Sequence, residues 1–135
     1  NRLLEINYGK CEGKSYEDLK INFPDIIKKW EEKKDPSFPD GESTSDVFNR
    51  LDSFLNDLNK LITNNNYKSI GVISHNVLLR CLIGHYLNLD RDVWFKLIIP
   101  HGEKLEFLYW KNKFYPNISR EILGNILLNI GLISK

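Results

Sequence analysis

The chain has 135 residues, 19 Lys+Arg against 18 Asp+Glu and a formal net charge of +1, so it forms one domain, or part of one, large enough for a real apolar core. That near-neutral balance argues against nucleic acid as the main partner. Two cysteines, Cys11 and Cys81, show no metal or redox spacing and fit a reducing, cytoplasmic setting.

Taken in chain order, residues 2–15 are neither a clear helix nor a clear strand. Gly9 and Gly13 punctuate the segment, as in an irregular loop with tight turns. Glu5 lies among Leu4, Ile6 and Tyr8, company that would raise its pKa if the carboxyl were buried and would suit it to general-acid work. The other reading of Glu5 is an exposed loop carboxylate. A short helix is predicted over 15–20, capped by Ser15 with Asp18 as its reciprocal partner. Pro24 and Asp25 restart a helical turn through Trp30. The mixed charges of 28–34 read as a solvated helix end, and Pro36, Pro39 and Gly41 mark a loop.

Ser43 or Thr44 is predicted to cap a helix running to about Thr63, with Val47, Leu51, Phe54, Leu55, Leu58 and Leu61 on one face. Asn64, Asn65 and Asn66 end it. Residues 70–74 are apolar or glycine except for Ser74, and read as a strand buried on both faces. A helix over 77–86 follows with no intervening loop. Ser74, His75 and Asn76 are therefore expected at a strand-to-helix junction, where open α/β sheets bind ligands and helix N-termini favour anions. His75 reads as a contact to a phosphate or carboxylate, or as a histidine that satisfies a backbone group.

Asp90 is predicted to cap a turn carrying Val93, Trp94 and Phe95. Strands are expected over 97–99 and 105–110, around a turn at Pro100, His101 and Gly102, with Phe114 and Tyr115 adding an edge strand. His85 reads as structural or surface, and the three histidines lack metal-ligand spacing. Residues 119–133 form an amphipathic terminal helix with Ile122, Leu123, Ile126, Leu127 and Ile130 on one side. It is too short to cross a bilayer and is read as core packing, with a subunit contact or a flap over the pocket as the alternatives. Asn117, Ile118 and Ser119 match a glycosylation sequon of the kind that occurs by chance.

Three segments in order resemble the histidine phosphatase superfamily, the phosphoglycerate-mutase-like enzymes. Leu4-Glu5-Ile6-Asn7-Tyr8-Gly9-Lys10-Cys11-Glu12-Gly13 is similar to the family's Leu-x-Glu-x-x-Phe/Tyr-Gly-x-Trp-Glu-Gly signature. Pro39-Asp40-Gly41-Glu42-Ser43 resembles its Pro-x-Gly-Glu-Ser loop, with Arg50 in the helix that follows. Val72-Ile73-Ser74-His75-Asn76-Val77-Leu78-Leu79-Arg80 resembles its strand–His–helix block. Cys11 stands where the family usually has tryptophan, and Asn76 where it often has glycine.

The resemblance implies a three-layer α/β/α sandwich with a mostly parallel sheet. It also implies phosphoryl transfer through a phosphohistidine, with no cofactor and no metal. Glu5 would protonate the leaving oxygen and then activate water, and His75 would donate to a phosphoryl oxygen. The N–H groups of Asn76 and Val77 would complete an anion cradle, and Asn7 and Tyr8 would line the wall; His101 reads as a residue of the pocket rim, as in relatives, or as a surface turn histidine. The family's nucleophile sits in an Arg-His-Gly motif that these residues lack, so the chain is expected to be an amino-terminally truncated domain spanning 1–135, inactive alone. In the family fold the missing strand lies beside 70–74, and its loss would leave an apolar edge open.

Seventy residues separate Glu5 from His75, which resembles the compact phosphatase branch more than the mutases with their longer insertion. The expected activity is therefore phosphomonoester hydrolysis on a small phosphorylated metabolite. The alternatives are a phosphoglycerate mutase and a noncatalytic relative that binds phospholigands or proteins. The expected partner is a small phosphate ester, with no nucleic acid, no membrane, and a homodimer as the open assembly question.

Overall fold

A computed structural model describes residues 1–32, 34–89, 94 and 97–129, without the side chains of 122, 126, 127 and 129. The order is α1 (Tyr16–Asn22), α2 (Pro24–Glu31), α3 (Thr44–Asn64), α4 (Asn76–Tyr86), β1 (Glu106–Trp110), β2 (Lys113–Asn117) and α5 (Arg120–Asn129).

The helices start where local chemistry dictates. Ser15 and Ser43 each accept the N–H of the residue three on, Asp18 and Asp46, whose carboxylates return a bond to the cap N–H. Pro24 opens α2, where its missing N–H costs nothing. Asp35 adds a second cap to α3. Burial acts to raise its pKa, but bonds from the side chains and N–H groups of Thr44 and Ser45 outweigh it and hold the carboxyl below its ordinary range.

Val47 and Leu51 of α3 are fully buried, whereas Leu61, predicted on the same face, is exposed near the helix end. They meet Leu78 and Cys81 of α4 in one apolar cluster that also takes in Ile6, Ile26 and Ile27. Burying each such large side chain stabilises the fold by about 1.5–3 kcal/mol. A second cluster joins Ile83 of α4 to Leu97 and Ile99.

The sheet departs from expectation. Among the described residues it consists of one antiparallel hairpin, β1 with β2, in register from Glu106 opposite Asn117 to Trp110 opposite Lys113. Lys111 and Asn112, both at positive φ (48° and 60°), make its two-residue turn. The parallel sheet of a three-layer sandwich is not present among the described residues. The predicted strands over 70–74 and 97–99 are not formed; both segments are irregular.

The physical reason is pairing. A strand's hydrogen bonds come from its neighbours, and among the described residues the main chain of 70–74 has no partner. Ile73 is 95% exposed, and Ile70 and Val72 are also exposed. They border an open groove of about 1220 Å³ between α3, α4 and the hairpin, lined mainly by apolar side chains. The turn proposed for Asp90, Val93 and Phe95 lies outside the described residues, as does Ile130. Trp94 is buried, with its indole N–H donated to the Leu89 carbonyl. No helix among the described residues is long and apolar enough to cross a membrane.

Candidate active site

Glu5 stands where the first loop meets the start of α4. Its carboxylate accepts the Ile6 N–H at 3.0 Å and the Val77 N–H at 3.1 and 3.3 Å. The apolar surroundings expected from the sequence are not what hold it. Leu4 is exposed and Ile6 turns into the core, so main-chain donors seat the carboxylate. The positive end of the α4 dipole favours an anion at that position.

His75 is the residue before α4, in extended conformation (φ −120°, ψ 168°), and its side chain makes no capping bond. Its imidazole is exposed. Ser74 fixes the approach to it by donating its hydroxyl to the Leu3 carbonyl at 2.8 Å. Glu5, Ser74, His75, Asn76 and His101 all line the apolar groove. The amide of Asn76 is turned back to the Ile99 carbonyl at 3.1 Å, tying α4 to the segment before the His101 turn.

The remaining sequence-predicted residues are placed differently. Asn7 accepts the Gly9 N–H at 2.9 Å and points its amide at the Asp40 carbonyl, bracing its own loop. Tyr8 packs edge-on against Phe38 and lines a separate cavity of about 150 Å³ with Val77 and Arg80. Burial, reinforced by the nearby Glu5 charge and opposed by Arg80, raises the Tyr8 pKa and keeps its hydroxyl a donor. Val77 lends its N–H to Glu5, so the expected anion seat is filled by the protein's own carboxylate.

Two loops are locked together beneath the site. Lys10 N–H donates to the Pro39 carbonyl and Glu42 N–H to the Asn7 carbonyl. The approach is so close that a Cβ on Gly9 would lie 2.1 Å from the Pro39 oxygen, and one on Gly41 would lie 2.4 Å from the Asn7 oxygen. Arg50, noted in the sequence only as part of a motif, donates to the Glu42 carboxylate and to the carbonyls of Arg2 and Glu5. Its signal in the sequence is faint: an arginine bordering the apolar stripe of α3, two turns after Gly41-Glu42-Ser43.

A carboxylate and an imidazole beside a helix N-terminus can move a proton and bind an anion. The model of the histidine phosphatase superfamily (branch 1) matches residues 1–117. The chain belongs to the histidine phosphatase superfamily.

Among similar proteins, phosphoserine phosphatase 1 of Hydrogenobacter thermophilus is 31% identical over 91 residues, 67% of this chain and 42% of the relative. 6-Phosphofructo-2-kinase 1 of Saccharomyces cerevisiae is 32% identical over 101 residues, 73% of the chain and 12% of the relative. Fructose-2,6-bisphosphatase of the same yeast is 26% identical over 107 residues, 77% and 22% respectively. The chain thus spans less than half the length of each of these relatives. Among the described residues no cluster of His, Cys, Asp and Glu could hold a metal ion.

Proposed function

We propose that the chain is the acid-bearing part of a phosphohistidine-type phosphomonoesterase acting on a small phosphorylated metabolite. The observation that carries this reading is the Glu5 carboxylate seated on the Val77 N–H, where the α4 N-terminus, His75 and the groove meet. In its protonated form Glu5 gives its proton to the leaving oxygen, and the carboxylate so formed takes a proton from the water that cleaves phosphohistidine. His75 donates to a phosphoryl oxygen, and the α4 N–H groups support the anion as Glu5 shifts to the leaving group. Relatives named for fructose 2,6-bisphosphate and phosphoserine support a sugar phosphate or a similarly small phosphomonoester as the substrate class.

The three histidines follow Ser74, Gly84 and Pro100, so none stands in an Arg-His-Gly motif. On this reading the nucleophile comes from polypeptide outside these residues, on a strand that pairs with 70–74 and fills the groove. The open main chain of 70–74 and the exposed Ile73 support that placement. The same absence favours a second reading, a noncatalytic relative that binds phospholigands.

The coding sequence upstream of Asn1 separates the two when combined with an assay of the whole product. An apolar strand ending in Arg-His-Gly, with acid-labile phosphate trapped on that histidine during turnover, is the expected result. A whole product without the motif and without turnover would overturn the enzyme reading. Turnover that requires a bisphosphoglycerate primer would instead make it a mutase.

A further inference from the structure

We propose that Arg50, paired with Glu42, is a positioning residue that sets the Glu5 carboxylate against the N-terminus of α4. The loop carrying Glu5 has no helix or strand of its own before Gly9. Beside the Ser74 bond to the Leu3 carbonyl and the Glu42 N–H bond to the Asn7 carbonyl, one ion pair gathers several of its main-chain groups. Arg50 Nε donates to Glu42 Oε1 at 2.8 Å and Nη2 to Oε2 at 3.2 Å. The remaining donors of the fork reach the Arg2 carbonyl at 2.7 Å and the Glu5 carbonyl at 3.2 Å. Glu42 uses its other side to accept the Asn7 N–H at 2.9 Å. Main-chain groups on both sides of Glu5, and at Glu5 itself, therefore end on the same pair.

The pair is well placed to be rigid. Its side chains are only 17% and 24% exposed, which limits screening by water. Arg50 sits in the second turn of α3, beside the fully buried Leu51, so its own position is set by the core. The planar guanidinium serves a carboxylate and two carbonyls at once, and a lysine ammonium, with its donors around a single nitrogen, cannot reproduce that fork. Arg50 does not touch the Glu5 carboxylate. It acts through the main chain, and the loop in turn aims the carboxylate at the Val77 N–H.

This assignment deepens the reading of Glu5 as proton donor and rests on it, but its test needs no turnover. The amide proton of Val77 reports directly on the Glu5 carboxylate, so its chemical shift is followed through the Glu5 titration in the 135-residue chain, alongside the Glu5 carboxyl carbon. In the unaltered chain the two are expected to move together. In Arg50→Lys the Val77 excursion is expected to fall to less than half, while the methyl resonances of Val47 and Leu51 stay in place. Glu42→Gln, which loses the charge but keeps an acceptor, is expected to fall between the two.

A full Val77 excursion in a folded Arg50→Lys or Glu42→Gln variant would overturn the proposal, as would a Val77 amide that ignores Glu5 in the unaltered chain. If Arg50→Lys does not fold, Glu42→Gln decides. Loss of folding in both would also overturn it, since the pair would then be a general support of the fold. Failure of the proton-donor reading shows separately, as a catalytically complete protein whose Glu5→Gln variant turns over normally.

Discussion

Glu5 and Val77 lie 72 positions apart in the chain, and the carboxylate of one accepts the main-chain N–H of the other at 3.1 Å. The bond joins two of the sequence blocks that mark the superfamily and places an acid at the start of the helix that follows His75. It also gives α4, which lacks a side-chain cap from His75, an anion at its positive end.

Glu5→Gln keeps an acceptor but removes the charge, and should destabilise the chain by about 0.5–1 kcal/mol, the usual scale for a charge at a helix terminus. Urea melts at neutral pH measure it. In a catalytically complete protein the same change should slow turnover most for the poorest leaving groups, while His75→Ala should cost about 10²–10³-fold, as for one lost oxyanion donor. Equal turnover of His75→Ala and wild type would reject the role given to His75.

Gly9 combines φ +52° with a Cβ position 2.1 Å from the Pro39 oxygen. Gly9→Ala must therefore adopt a strained conformation and also push two loops apart. A loss of about 2–4 kcal/mol is expected, the sum of positive-φ strain and overpacking. A denaturant midpoint within error of wild type would show that the loops are not locked as described.

Gly84 tests packing against propensity. Within a helix Gly→Ala normally stabilises by about 1 kcal/mol. Here a Cβ would lie 2.2 Å from Trp94 Nε1, so the indole must move and its bond to the Leu89 carbonyl must loosen. The sign should reverse, with Gly84→Ala destabilising by about 1–3 kcal/mol and the Trp94 emission shifting to the red. A stabilised variant would contradict the contact.

Acid should release the start of α3. Hydrogen bonds from Ser43 hold the Asp46 carboxyl below its ordinary value of 3.8, and those from Thr44 and Ser45 hold Asp35 low against the opposing effect of burial. Both groups bind protons more readily when unfolded. Their contribution is therefore fully present above about pH 4 and is lost as pH falls through the lower folded values. Asp35→Asn should flatten the decline in stability between about pH 4 and pH 2, followed by circular dichroism. An unchanged acid transition would remove Asp35 from the account.

Ile73 is 95% exposed at the rim of the groove. Ile73→Ser should change the stability of the chain by less than about 0.5 kcal/mol, as surface changes do. It should also reduce self-association measured by sedimentation, because it blunts an open apolar edge. A large loss of stability would mean that 70–74 is buried in solution.

The sequence by itself determined the elements whose causes lie within a few residues. The boxes of Ser15 with Asp18 and Ser43 with Asp46 mark where α1 and α3 begin, because cap and partner are three positions apart. The 3.6-residue spacing of Val47 and Leu51 marks the buried face of α3, and the order of the motifs marked the family. Tertiary structure decided the rest. Arg50 meets the carbonyls of Arg2 and Glu5 across 48 and 45 positions, and no local pattern encodes that meeting. The β-branched run at 70–74 has the composition of a strand, yet pairing is a property of two segments, and among the described residues it has no partner. Local hydrogen bonds and periodicity are written along the chain. Strand pairing and the seating of a charge depend on what the fold brings alongside.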